Sequence, residues 1–162
     1  MKLTRLLAVV LFLPVLGAST EAQNLLYQFD GEGTGDDFGY AVSDAGDVNN
    51  DGIPDVIVGA PNDDPNGSDS GSARVFSGLD STVLHTFDGS NTDGHFGYSV
   101  SGVGDLNGDG FADVIVGSPD DDGNGTDSGA AQVYSGSDGI ALLFLHGHLR
   151  WRRTGVLSGG RG

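Results

Sequence analysis

The chain has 162 residues, no cysteine and a formal net charge of −16, from 23 acidic and 7 basic side chains. Such acidity repels nucleic acid phosphates and anionic lipid, which sets both aside as partners. An exported protein of this size without disulfides needs another stabiliser, and bound metal is the obvious one.

The chain opens with Lys2 and Arg5, an apolar run from Leu6 to Leu16, and the small residues Gly17-Ala18-Ser19-Thr20. That order predicts a secretory signal peptide over residues 1–22, cleaved after Ser19 or Ala22. The apolar run falls well short of the ~20 residues that cross a bilayer. The expected location is therefore secreted, extracellular or cell-surface, with the periplasm as a variant. Between Gln23 and Leu149 the single basic residue is Arg74, against 22 acidic ones.

From Phe38 onward the chain repeats itself. Residues 38–80 match residues 96–138 at 28 of 43 positions, an offset of 58. A period of this size marks a repeat architecture, in which one unit cannot bury its apolar face alone. Short β-type runs predict strands at Phe38–Val42, Asp55–Gly59, Ala73–Ser77 and Val83–Phe87. The second copy predicts Phe96–Val100, Asp113–Gly117, Ala131–Ser135 and Ile140–Leu145. Val56-Ile57-Val58 and Val114-Ile115-Val116 are continuous β-branched runs, as in strands buried on both faces. Clusters of Gly, Asp, Asn and Ser separate the runs. No stretch has a helical period. The fold class is all-β, and four short strands per copy make one β-propeller blade. Residues 23–87 form the first blade and 88–145 the second.

Each copy carries one loop of metal-ligand character. The first supplies side-chain oxygens from Asp47, Asn49, Asp51 and Asp55 with the Ile53 carbonyl. The second supplies Asp105, Asn107, Asp109 and Asp113 with the Phe111 carbonyl. Alternate spacing turns every second side chain toward one ion, and Gly52 and Gly110 supply the sharp turn. Hard oxygen donors without His or Cys select Ca²⁺, one ion per repeat. An EF-hand fits the first nine positions, but it needs Glu at the twelfth, where Val58 and Val116 stand; a loop between two propeller strands is the better reading.

Other residues have blander readings. Phe38, Tyr40, Phe96 and Tyr98 are expected to pack between blades. Asp63-Asp64 and Asp120-Asp121-Asp122 read as solvated loop charges. Asn66-Gly67-Ser68 and Asn124-Gly125-Thr126 are glycosylation sequons at equivalent positions. His85, His95, His146 and His148 have no consistent partner spacing.

Phe38-Gly39 followed by Gly59-Ala60-Pro61, and Phe96-Gly97 followed by Gly117-Ser118-Pro119, resemble FG-GAP repeats. These build the β-propeller of integrin α-subunits and occur in many secreted bacterial proteins. The resemblance covers roughly residues 25–145, with Gly-Ser-Pro in the second copy a mild departure. It implies a seven-bladed propeller, of which this chain holds about two blades. It also implies an exported, non-catalytic adhesion or protein-binding module, with a protein or cell-surface ligand. FG-GAP repeats also stand beside catalytic domains, as in a secreted phospholipase D of glycolipid anchors. This chain has no Cys, no Gly-x-Ser-x-Gly and no paired His, so no catalytic or cofactor-binding residue is assigned and it is not read as an enzyme. Two blades cannot close a ring, so either more repeats or self-assembly is expected to complete it.

Residues 146–162 break the pattern. The last thirteen positions hold four basic residues and no acidic one. This aberrant basic tail reads as a frame-shifted start of a third blade, which would make the chain a truncated product. Codons permitted for Phe144 to Gly162 allow a neighbouring frame that encodes Gly-Tyr-Ser-Val with its tyrosine at position 156, one further period beyond Tyr98. Sequencing the coding DNA through codon 144 should show that second frame continuing the repeat; a DNA sequence incompatible with it overturns the reading.

Overall fold

The computed structural model describes residues 27–147. The expected signal peptide, residues 1–22, lies outside the described residues. So does the expected tail, apart from His146 and Gly147. Eight strands follow in order: β1 Ala41–Gly46, β2 Asp55–Ala60, β3 Ser72–Phe76, β4 Val83–Asp88, β5 Ser99–Gly104, β6 Asp113–Ser118, β7 Ala130–Tyr134 and β8 Ala141–His146. They form two four-stranded antiparallel sheets, β1-β2-β3-β4 and β5-β6-β7-β8, and the described residues contain no helix. Each sheet is one propeller blade. Register repeats at the 58-residue offset, Val58 opposite Arg74 in blade 1 and Val116 opposite Gln132 in blade 2.

Six strands lie within a residue or so of expectation, but β1 and β5 begin three residues later than the sequence suggests. The cause is the Phe-Gly element itself. Asp37 and His95 have φ of 52° and 51°, and Gly39 and Gly97 have φ of 88° and 90°. The Tyr40 and Tyr98 amides donate back to the Asp37 and His95 carbonyls at 2.9 and 3.1 Å. Phe-Gly is thus a tight turn that ends before the strand starts.

That turn is also the joint between blades. The Phe96 amide donates to the Ser70 carbonyl of blade 1 at 3.1 Å. A Cβ on Gly97 would collide with the Ser72 carbonyl, and one on Gly59 with the Gly97 carbonyl. Glycine at both positions lets the two backbones touch. The Phe-Gly turn of one blade therefore sits on the Gly-Ala-Pro strand of the blade before it.

Each blade has two faces. The forward face of blade 1 carries Ile57, Ala73, Val75 and Phe87, with Ala45 and Val48. It packs on the rear face of blade 2, Phe96, Val114 and Val116, in one buried cluster. Phe87 stacks on Tyr134 with ring centroids 4.1 Å apart, and Phe96 meets Tyr134 edge-on at 6.2 Å. The rear face of blade 1, Val56, Val58 and Phe76, is covered by Phe29 and Phe38. Val56-Ile57-Val58 is buried throughout, as its composition suggests. Ile115 is only half-buried, because the forward face of blade 2 has no neighbour among the described residues.

The four aromatic residues expected between blades divide. Phe96 is buried there. Phe38 is half-buried on the rear face of blade 1, while Tyr40 and Tyr98 are exposed and pair with each other at 4.8 Å. The turn explains this: Gly39 and Gly97, at positive φ, stand between each Phe and its Tyr, so the pair does not follow the strand period that would keep both rings on one face.

Phe96→Ala should lower the unfolding free energy by about 3–5 kcal/mol, with a smaller loss for half-buried Phe38→Ala, as read from urea unfolding. Burial at the blade interface pushes the Tyr134 hydroxyl up to about 12 from 10.0. Its contribution to stability is complete below the ordinary value and is lost as pH climbs through the raised one. Melting temperatures should therefore fall between pH 10 and 12 more steeply for the native chain than for Tyr134→Phe.

Candidate metal centre

The two acidic loops each join the first and second strand of a blade, residues 47–54 between β1 and β2 and residues 105–112 between β5 and β6. A bulge between Asp44 and Gly46, matched between Gly102 and Gly104, ends each first strand. Gly52 and Gly110 hold φ of 87° and 92°, as the sharp turn requires. Asn50 and Gly108 take positive φ two residues earlier, a second left-handed position that the ligand pattern alone does not mark.

The loops fold around their own carboxylates. Asp47 accepts from the Asp51 amide at 3.0 Å and the Gly52 amide at 2.8 Å. The Asn49 side-chain oxygen accepts from that same Asp51 amide at 3.0 Å, and Asp51 accepts from the Ile53 amide at 2.8 Å. In blade 2, Asp105 accepts from Asp109 and Gly110, Asn107 from Asp109, and Asp109 from Phe111, at 2.9–3.0 Å. Asn49 and Asn107 donate their amide hydrogens to Asp51 and Asp109 at 2.8 and 3.0 Å. Positions 1 and 3 of each loop thereby converge on the backbone amide of position 5, whose own carboxylate accepts from the amide of position 7.

Position 9 is held differently. Asp55 and Asp113 are buried and begin β2 and β6. Asp55 accepts from the Val48 amide at 2.8 Å and the Gly78 amide at 2.9 Å. Asp113 accepts from Leu106 at 2.8 Å and Gly136 at 3.1 Å. Each ties the acidic loop to the turn between the third and fourth strands. Burial raises the Asp55 carboxyl above the ordinary carboxylate value, opposed by its two amide bonds, with the charges of Asp51 and Asp47 adding to the rise. The Asp109 carboxyl is lowered by the Phe111 amide, then by Asn107 and the Ser137 hydroxyl.

Among the described residues no three His, Asp or Glu side chains are gathered into a tight cluster. The carboxylates are spread over backbone amides, which satisfy like charges that would otherwise repel. The donor set nonetheless fits a hard divalent cation: three carboxylates, an amide oxygen and a loop carbonyl, with no nitrogen or sulfur ligand. Among the described residues no basic side chain pairs with either loop. Arg74 is engaged elsewhere, 3.1 Å from Glu32 and 3.8 Å from Asp63.

The remaining acidic loops are more structural than their composition suggests. Asp63 accepts from the Ser72 hydroxyl at 2.6 Å beside Arg74. Asp121 is buried and accepts from the Asn91 amide at 2.6 Å and the Gly123 amide at 2.9 Å. Asp64 and Asp122 accept from the amides of Asp69 and Asp127. His85 is not incidental: its Nε2 lies 2.6 Å from the Gly136 carbonyl, bridging the blades. His95 lies 2.9 Å from Asp120. Sequence spacing misses these because the partners come from another blade or from the turn after the Gly-Ala-Pro element.

Comparison with known proteins agrees with this arrangement. The FG-GAP repeat family model matches residues 38–76 and 96–134. Integrin alpha-5 of Xenopus laevis is 35% identical over 122 residues, 70% of this chain and 11% of the relative. Integrin alpha-6 of Homo sapiens is 37% identical over 113 residues, 67% of this chain and 10% of the relative. Integrin alpha-PS2 of Drosophila melanogaster is 32% identical over 123 residues, 69% of this chain and 9% of the relative. The chain thus spans about a tenth of the length of the curated relatives it matches. With two repeats matched and two blades built on them, this chain is an FG-GAP repeat protein whose blades are of the integrin α type.

Proposed function

We propose that the chain is an exported, non-catalytic binding module of the adhesion type, in which Ca²⁺ stabilises each blade. The observation that carries this reading is the pair of matched oxygen-donor loops, each with three carboxylates and, among the described residues, no basic side chain paired with it. Asp47, Asn49, Asp51, Asp55 and the Ile53 carbonyl would hold one ion; Asp105, Asn107, Asp109, Asp113 and the Phe111 carbonyl would hold the other. Ca²⁺ supplies charge neutralisation and a cross-link within the loop, so binding adds to folding stability. The residues themselves position the loop, Asp55 and Asp113 by anchoring it to the turn before the fourth strand.

Protein binding rests on the integrin α relatives, a likeness of fold and family. Export rests on the charged start and apolar run before residue 22. Both sequon asparagines are exposed, but Asn66 donates its side-chain amide to the Gly89 carbonyl at 2.9 Å, whereas Asn124 has no such bond among the described residues. In a glycosylating host the glycan belongs on Asn124.

Calcium should raise the melting temperature of the chain, and Asp51→Ala or Asp109→Ala should each remove part of that rise. Calorimetry with calcium and with a chelator tests this; identical melting in both media overturns the metal reading. Asp55→Ala and Asp113→Ala should destabilise by about 2–4 kcal/mol even in chelator, because each strands two backbone amides. A loss confined to the calcium-loaded form would show that position 9 serves only the ion.

A further inference from the structure

Among the described residues nothing covers the forward face of blade 2, and blade 1 shows what such a face is built to hold. Three residues that are covered in blade 1 are uncovered 58 residues later. Ala45 and Phe87 are 0% and 6% exposed; their counterparts Val103 and Leu145 are 39% and 47% exposed. His85, half-buried against blade 2, becomes Leu143 at 42%. The outer strand β8 reads Ala-Leu-Leu-Phe-Leu-His and carries no charged side chain to guard its edge other than a terminal histidine.

The matching half of the contact is at the other end of the same chain. The rear face of blade 1 already has the geometry of the rear face of blade 2. Phe38 meets Phe76 edge-on at 6.0 Å and 82°, and Phe96 meets Tyr134 at 6.2 Å and 85°. In blade 2 that pair receives Phe87. In blade 1 it receives Phe29, 4.5 Å from Phe76. Phe29 precedes Phe87 by one repeat, and Tyr27 precedes His85 likewise. The Tyr27 hydroxyl donates to the Leu79 carbonyl, much as His85 reaches the Gly136 carbonyl. The segment from Tyr27 to Asp30 therefore occupies the place that a preceding blade's outer strand takes on blade 2. Arg74, paired with Glu32 and lying over the Phe38 ring at 5.9 Å, holds the following turn down on the same face.

We propose that the forward face of blade 2 docks onto the rear face of blade 1 in a second copy of this chain. Leu145 and Leu143 then take the positions of Phe29 and Tyr27, which are displaced. The contact is continuous with the one inside the chain, since both of its halves are repeats of surfaces already packed together there. It is head-to-tail, so each copy keeps one free face of each kind and association propagates or closes as a ring.

The chain lacks cysteine, so introduced thiols report geometry without background. Within the chain, a Cβ on Gly139 would lie 3.0 Å from the His85 ring. The same relation between copies sets Ser81 against Leu143. Full-length Ser81→Cys and Leu143→Cys chains, mixed under mild oxidant, should give a covalent dimer that neither gives alone. Sedimentation of the cysteine-free chain should show association that grows with concentration. Leu145→Asp, on an exposed site that leaves the sheet signal in circular dichroism unchanged, should abolish it. Phe29→Ala, which frees the receiving face, should shift it to lower concentration. Three results would each overturn the proposal: a monomer at every concentration, association indifferent to Leu145→Asp, or Leu143→Cys cross-linking to itself through paired β8 edges.

Discussion

The structure depends on one contact between backbones. The Phe-Gly turn that opens blade 2 rests on the Gly-Ala-Pro strand of blade 1, with glycine on both sides because no Cβ fits. This approach sets the spacing of the blades, and the spacing lets Phe96, Val114 and Val116 reach Ile57, Val75 and Phe87. Apolar burial supplies the driving force, but it is non-directional. The glycine contact and the Phe96 to Ser70 hydrogen bond give it a register. Within each copy the two halves also bond to each other, the Gly39 and Gly97 amides donating to the Gly59 and Gly117 carbonyls at 3.0 and 3.2 Å, with the first strand and the acidic loop between them in sequence.

The acidic loops are a second constraint, fastened to the first. Asp55 and Asp113 lie at the starts of the central strands and accept from two loops each. A buried carboxylate with two amide donors is better satisfied than an isolated one, yet it remains costly while the neighbouring carboxylates stay uncompensated. The loop chemistry and the blade chemistry therefore share a residue. Whatever neutralises Asp47 and Asp51 also relieves Asp55, and through it the turn at Gly78.

Much of this was legible in the residues. The period, the four strands per copy, and the glycines at the sharp turns followed from spacing and composition. What was missed is instructive. The first strands start late because Asp37 and His95 adopt left-handed conformations, which no hydrophobic pattern reveals. Tyr40 and Tyr98 looked like core aromatics, but the positive-φ turn at Gly39 and Gly97 turns them outward. Asp121 looked solvated, yet Asn91, thirty positions upstream, buries it. Blade 1 meets the same need at Asp63 with Ser72 and Arg74, where blade 2 has Ala130 and Gln132. Long-range polar partners of this kind leave no local signal. The metal-ligand assignment of the two loops stays a matter of donor chemistry, since it concerns an ion and not the fold.

The 58-residue translation has a consequence for how such a chain changes over generations. Contacts between the blades join positions in one copy to positions in the next, and matched stretches of the two copies share most of their residues. Unequal recombination between those stretches removes or adds one whole blade while leaving each junction with a native partner on both sides. A point substitution in the joint has no such freedom, because Gly59 or Gly97 must work against a neighbour that has not altered. Gene-level variation in this molecule is therefore channelled toward length in whole units, with the junction glycines as the letters least free to drift.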